Sequence, residues 1–170
     1  HSFGFIIAGA SIRNVEAHTP EQYLSGLGRA VRHSVPPPIA MVLCYPGNPT
    51  AQVVDLDFYK EAVKFAKKHD LIILSDLAYS EIYFEGEPTP SVLQVEGAMD
   101  VTVETVSLSK TYSMAGWRVG FAVGNERLIA ALARVKSYLD YGAFTPIQVA
   151  AAAALNGDDS VISDVRQIYQ

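Results

Sequence analysis

The stretch Ser107–Phe121, SLSKTYSMAGWRVGF, decides how the rest of the chain is read. The apolar run Val103–Leu108 ends inside it, so Ser107, Ser109 and Lys110 fall where a strand gives way to a loop. Arg118 lies eight residues beyond Lys110, just before a second strand-like run, Val119–Val123. Too few residues separate the two runs for a crossover helix, so the two strands should be antiparallel neighbours. A lysine amine, two hydroxyls and a guanidinium at the mouth of a sheet suit an anionic ligand with an amine nucleophile at its centre. The plainer reading is a polar turn with one solvated lysine.

Moving outward, three more apolar runs read as buried strands: Phe3–Ala8, Ile39–Cys44 and Leu71–Ser75. Helical patterns separate them. Thr19-Pro20-Glu21-Gln22 has the grammar of a capping box with proline at the first helical position, opening a helix that buries Tyr23, Leu24, Leu27 and Val31. Prolines 36–38 end it. Asp55 caps a second helix, with Leu56, Tyr59, Ala62, Val63 and Ala66 at helical spacing and Lys60, Lys64 and Lys67 facing water. Residues Gly86–Pro90 mark a loop. Asn125 caps a helix whose inner face is Leu128, Ile129, Leu132 and Val135, and Thr145-Pro146-Ile147-Gln148 repeats the capping-box pattern before an alanine-rich helix ending at Asn156-Gly157. A last amphipathic stretch starts near Asp159. Alternating strands and helices predict an α/β fold: three α/β/α layers on a mainly parallel sheet, with one antiparallel strand.

The composition narrows the class. A chain of 170 residues with 49% hydrophobic and 18% charged residues can bury a core. Its net charge of −5 argues against nucleic acid or an anionic membrane surface as partner. No apolar run approaches a membrane span. One cysteine, Cys44, cannot form an internal disulfide; a reducing cytoplasm is expected, with Cys44 an inert core thiol. The chain starts two residues before a strand-like run and stops at Gln170 within a helical pattern, so it reads as a piece of a longer protein.

Parallel sheets place ligands at the carboxyl ends of their strands. Asn48 follows the second run, Asp76 the third with Tyr79 one turn on, and Ser107, Ser109 and Lys110 the fourth, with Arg118 before the fifth. Each has an ordinary structural explanation: turn chemistry for Asn48, a helix cap for Asp76, core packing for Tyr79, an ion pair for Arg118. Together they fall on one sheet edge. Pyridoxal phosphate needs this set: a lysine for its aldehyde, a carboxylate for its ring nitrogen, donors for its ring oxygen, and an arginine with hydroxyls for its phosphate. No GxGxxG follows the first run and no P-loop is present, which disfavours a nucleotide-binding domain.

The segments YPGNPTA, SDLAYSEIYFEG and SLSKTYSMAGWRVGF, in this order and spacing, resemble the signature segments of class I/II (fold-type I) pyridoxal-phosphate aminotransferases, over nearly the whole chain. The resemblance implies that Lys110 binds the cofactor aldehyde and later moves the substrate proton. It implies that Asp76 pairs with the ring nitrogen and that Tyr79 and Asn48 bond the ring oxygen, Asn48 also reaching the substrate carboxylate. Ser107 and Arg118 would hold the phosphate, with Ser109 beside them; Gly116 and Gly120 would allow close backbone approach, and Tyr112 and Trp117 would pack. Ala51 departs from the glycine many members carry there; the choice is familiar in the diaminopimelate and alanine-forming branches. The stretch ALARVKSYLDYGAFTPIQVAAAAAL looks most like glutamate–pyruvate (alanine) aminotransferases. The chain would be part of the large cofactor-binding domain of a homodimer acting on an amino acid and a 2-oxo acid. An N-terminal segment with a stacking aromatic ring, a C-terminal small domain with a carboxylate-binding arginine, and a tyrosine of the partner subunit would lie outside it, leaving this piece alone inactive. Other readings are LL-diaminopimelate transamination, a carbon–sulfur β-lyase on the same scaffold, or a non-catalytic aminotransferase-like ligand sensor.

Overall fold

Four strands form one sheet in the computed structural model, which describes residues His1–Gln170. They are β1 (Ala40–Cys44), β2 (Ile72–Asp76), β3 (Thr102–Ser107) and β4 (Gly120–Gly124), in spatial order β1-β2-β3-β4. The first three are parallel, and β4 runs antiparallel to β3 with Ser107 opposite Gly120, as the short spacing predicts. The helices are α1 (Ser2–Ile7), α2 (Pro20–Arg32), α3 (Leu56–His69), α4 (Leu108–Thr111), α5 (Glu126–Leu139), α6 (Thr145–Leu155) and α7 (Ser160–Tyr169). The result is a three-layer α/β/α fold with a mainly parallel sheet.

Alternation along the strands assigns the faces. Met41 and Leu43 on β1 and Ile73 and Ser75 on β2 are buried, and their neighbours are only half-buried. Against them α3 buries Phe58, Tyr59, Ala62, Val63 and Ala66, and α2 adds Leu27. The helix is fixed at both ends. Asp55 accepts from the Phe58 N–H at 2.9 Å, and Asp70 turns into the left-handed region at φ 54°. A smaller cluster, Leu108, Met114 and Ala151, joins α4 to α6.

One buried carboxyl group knits the sheet to the turn beside it. Glu104 on β3 is 3% exposed and accepts from Ser75 Oγ (3.0 Å), Ser91 Oγ (2.5 Å) and the Val92 N–H (3.2 Å). The bonds tie the short turn Val92–Gln94 to both neighbouring strands.

Several local expectations are corrected. Phe3–Ala8 is not a buried strand: Ser2–Ile7 is a short helix, with Phe3 81% and Ile7 87% exposed. Its backbone bonds close within the run, Ala8 N–H to the Gly4 carbonyl at 3.1 Å, instead of reaching the sheet. Thr145 is the first residue of α6 rather than its cap. Phe144 holds the cap position without a side-chain bond, and its carbonyl accepts from the Ile147 and Gln148 N–H groups. At α2 the box forms shifted by one residue: Thr19 accepts from the Gln22 N–H, while Gln22 Oε1 accepts from the N–H of His18 instead of Thr19. α6 ends at Leu155 with Asn156 at φ −103°, so no left-handed cap closes it. On α5 the proposed inner face is only half covered, with Leu132 and Val135 exposed.

Candidate functional site

Three parallel strands end together. Cys44 pairs with Asp76 in register, and Asp76 with Thr105, two residues before Ser107. Everything the chain offers for chemistry follows these ends.

Asp76 closes β2 with both carboxylate oxygens engaged. Oδ1 accepts from the Ala78 N–H at 3.2 Å, and His1 Nε2 donates to Oδ2 at 2.7 Å. From the following turn Tyr79 reaches the β1 loop, where Asn48 Nδ2 donates to its hydroxyl at 3.2 Å. Asn48 sits at the crown of a loop closed by the Gly47 N–H to Gln52 carbonyl (2.9 Å) and the Ala51 N–H to Gly47 carbonyl (2.7 Å).

Lys110 arrives from β3. Ser107 caps α4, and within that single turn Leu108 and Thr111 point inward, 2% and 7% exposed. They anchor the turn and leave Ser109 and Lys110 on its half-exposed side. Lys110 Nζ lies 5.7 Å from the centroid of the Tyr79 ring. Ser107 Oγ accepts from the Ser109 N–H at 3.2 Å, leaving the Ser107 O–H free to donate to an anion.

Arg118 is held beside the same turn, because the Leu108 N–H bonds the Val119 carbonyl at 3.3 Å. Its guanidinium donates to the Ala115 carbonyl at 2.9 Å, and its backbone is left-handed at φ 53°. Ser113, in the same connection, has φ 54°. Such conformations are costly for residues with a Cβ, and they concentrate at functional sites. Gly120 is required by closeness: a Cβ there would stand 2.5 Å from the Val106 carbonyl oxygen. Gly116, by contrast, has open space around it. Tyr112 packs on the small cluster and Trp117 is half-exposed at the rim.

Asn48 thus bonds Tyr79 directly, and Lys110 Nζ stands over the same ring. Asp76 stands at the neighbouring strand end, and Ser107, Ser109 and Arg118 gather around one turn. Two residues at the site went unread in the sequence. Cys44 is half-buried beside Asp76, not in the core; burial and then the Asp76 charge push its thiol pKa up. His1 is 75 positions from Asp76, so no local pattern announces the contact. The donor set suits pyridoxal phosphate: an amine, a doubly held carboxylate, a phenol with an amide, and hydroxyls beside an arginine. A cavity of about 390 Å³ lies between residues 10–15, α2 and the open edge of β1, with His1 on its wall.

The family model for aminotransferases of class I and II matches residues 1–170. AatC of Rhizobium meliloti (strain 1021) is 68% identical over the whole chain, which covers 42% of that protein. The glutamate-pyruvate aminotransferase AlaC of Escherichia coli (strain K12) is 50% identical over the whole chain, 41% of its own length. The LL-diaminopimelate aminotransferase of Moorella thermoacetica (strain ATCC 39073 / JCM 9320) is 41% identical, with 100% of this chain and 44% of the relative covered. Further LL-diaminopimelate aminotransferases, from Gloeobacter violaceus, Aquifex aeolicus and others, are 41–52% identical over 74–100% of the chain. Among solved structures, apo-BacF of Bacillus subtilis superposes with a TM-score of 0.74 at 37% identity, over 93% of this chain and 37% of that one. The chain spans about two-fifths of the length of the curated relatives it matches. The chain belongs to the class I and II aminotransferase family.

Proposed function

We propose that the full-length protein transfers an amino group between an amino acid and a 2-oxo acid with pyridoxal phosphate, and that this chain is part of its large cofactor-binding domain. The observation that supports this best is the convergence of Lys110, Tyr79 and Asn48 at one strand edge, with Asp76 on the adjacent strand end. Bound there, pyridoxal phosphate supplies the electron sink for negative charge at the substrate α-carbon.

The chain's own residues do the rest. Asp76 holds a proton on the ring nitrogen through its carboxylate, already fixed by the Ala78 N–H and His1. Tyr79 and Asn48 hydrogen-bond the ring oxygen, and Asn48 also meets the substrate carboxylate. Ser107, Ser109 and Arg118 would hold the phosphate, the Arg118 guanidinium being kept beside the turn by the Ala115 carbonyl. Lys110 Nζ would hold the cofactor aldehyde and would serve as the base that moves the proton at the substrate α-carbon.

For the substrate, the recurrence of LL-diaminopimelate aminotransferases among the relatives supports that branch over the alanine–glutamate reading, which the E. coli relative supports. A homodimer supplies the remaining walls. Full-length protein assayed with LL-diaminopimelate, alanine and a cystathionine-like thioether, each with 2-oxoglutarate, separates the three readings. Borohydride should fix the cofactor on Lys110, and Lys110→Ala should lower turnover by roughly 10²–10⁴-fold or more. Normal turnover in that variant would overturn the mechanism.

A further inference from the structure

Three chain segments bring metal-ligating atoms to one point beside the candidate cofactor site. His1, Cys44 and Asp76 each offer one ligand atom, and these atoms lie within 4.8 Å of one another. We propose that in the cofactor-free protein they form a binding site for a thiophilic divalent cation such as Zn²⁺, and that the cation and the cofactor exclude each other.

The donor set argues for this metal class. One imidazole, one thiolate and one carboxylate, with a fourth position open, is a three-ligand set characteristic of zinc. Bonds of about 2.0–2.3 Å in a tetrahedral site separate the ligand atoms by roughly 3.3–3.6 Å. The triad's ligand atoms lie within 4.8 Å of one another, so adjustments of about an ångström bring them to that spacing, the 2.7 Å contact between His1 and Asp76 opening as they do. The side chains of His1 and Asp76 remain 43% and 30% exposed, so an ion has a way in. Cys44 ends β1 in register with Asp76, which fixes two of the three ligands on a rigid sheet edge. Binding replaces the thiol proton of Cys44, which leaves to solvent, and the imidazole N–H hydrogen bond to Asp76.

Exclusion rests on the proposed role of Asp76. A cation on Asp76 would occupy the carboxylate proposed to face the cofactor ring nitrogen, and a dication beside a protonated ring nitrogen is repelled. Zinc would act as a competitive trap for the unloaded protein and would leave the loaded one untouched.

The test uses full-length protein stripped of cofactor and titrated with Co²⁺ as a spectroscopic substitute, then with Zn²⁺. One equivalent per subunit should give a thiolate-to-cobalt charge-transfer band that Zn²⁺ abolishes. Added pyridoxal phosphate should release the cobalt. Cys44→Ser should lose the band and weaken metal binding at least tenfold while still taking up cofactor on Lys110. His1→Gln should weaken metal binding and keep the band. No band in the wild type, a band that survives in Cys44→Ser, or full occupancy by metal and cofactor together would each overturn the proposal. The cobalt titration is read without cofactor, so a protein that never loads Lys110 would refute the proposed function and leave the metal result standing.

Discussion

At position 51 the backbone asks for a residue the chain does not supply. Ala51 has φ 54°, in the left-handed region, at the close of the loop that presents Asn48. A Cβ costs about 1–2 kcal/mol there, while glycine costs about 0.4–1 kcal/mol through the unfolded chain. Ala51→Gly should therefore stabilise by about 0.5–1 kcal/mol in urea unfolding. Two buried phenols make a sharper pair. Tyr23 donates to the Val42 carbonyl at 2.9 Å, whereas the fully buried Tyr59 hydroxyl has no partner. Tyr23→Phe should cost about 1 kcal/mol at neutral pH, and Tyr59→Phe should be neutral or stabilising. Burial pushes both phenols' pKa values upward, so the fold favours the neutral form. Their contribution is complete below the ordinary tyrosine value of about 10 and is lost as pH rises above it. Either phenylalanine variant should flatten that alkaline loss, measured as Tm against pH.

Elements differ in how far their own sequence determines them. The α3 cap is local and real, so Asp55→Ala should cost about 1 kcal/mol of unfolding free energy. Thr145 resembles a cap and makes no cap bond, so Thr145→Ala should change stability by less than about 0.5 kcal/mol. The same contrast governs what was legible beforehand. The antiparallel β3–β4 pair followed from the short connection, and the parallel β1–β2 pair from the helical pattern between them. Lys110, Asp76, Tyr79 and Asn48 could be placed because strand ends are marked in the sequence and a parallel sheet gathers them. Phe3–Ala8 misled because a short apolar run fits strand or helix equally, and the choice depends on a neighbour that no local pattern specifies. Cys44 was legible in principle: Met41 and Leu43 face the core, so period-two alternation turns Val42 and Cys44 to the other face, beside Asp76. His1 carried no such signal, since its contact is made only by the tertiary fold.

Across the whole molecule, burial is uneven. Thirteen buried residues in one cluster join α2, β1, α3, β2 and the turns Val92–Gln94 and Ala98–Asp100. The cluster under α6 has three, and α5 and α7 bury no residue. Exposed apolar side chains concentrate in the same region, including Tyr138, Leu139, Tyr141 and Phe144. Fully burying a large apolar side chain contributes about 1.5–3 kcal/mol, so the two halves cannot resist opening equally. The site straddles this boundary: Asp76 and Asn48 follow strands of the large cluster, while Lys110 rides on Leu108 of the small one. Amide hydrogen exchange on the 170-residue chain should therefore rank β1, α3 and β2 slowest, α4 with its lysine intermediate, and α5 and α7 fastest. Leu108→Ala should speed exchange in α4 and α6 and leave α3 unchanged. Equal acceleration in α3 would mean that the chain opens as one cooperative unit and that the position of Lys110 is set by the whole core.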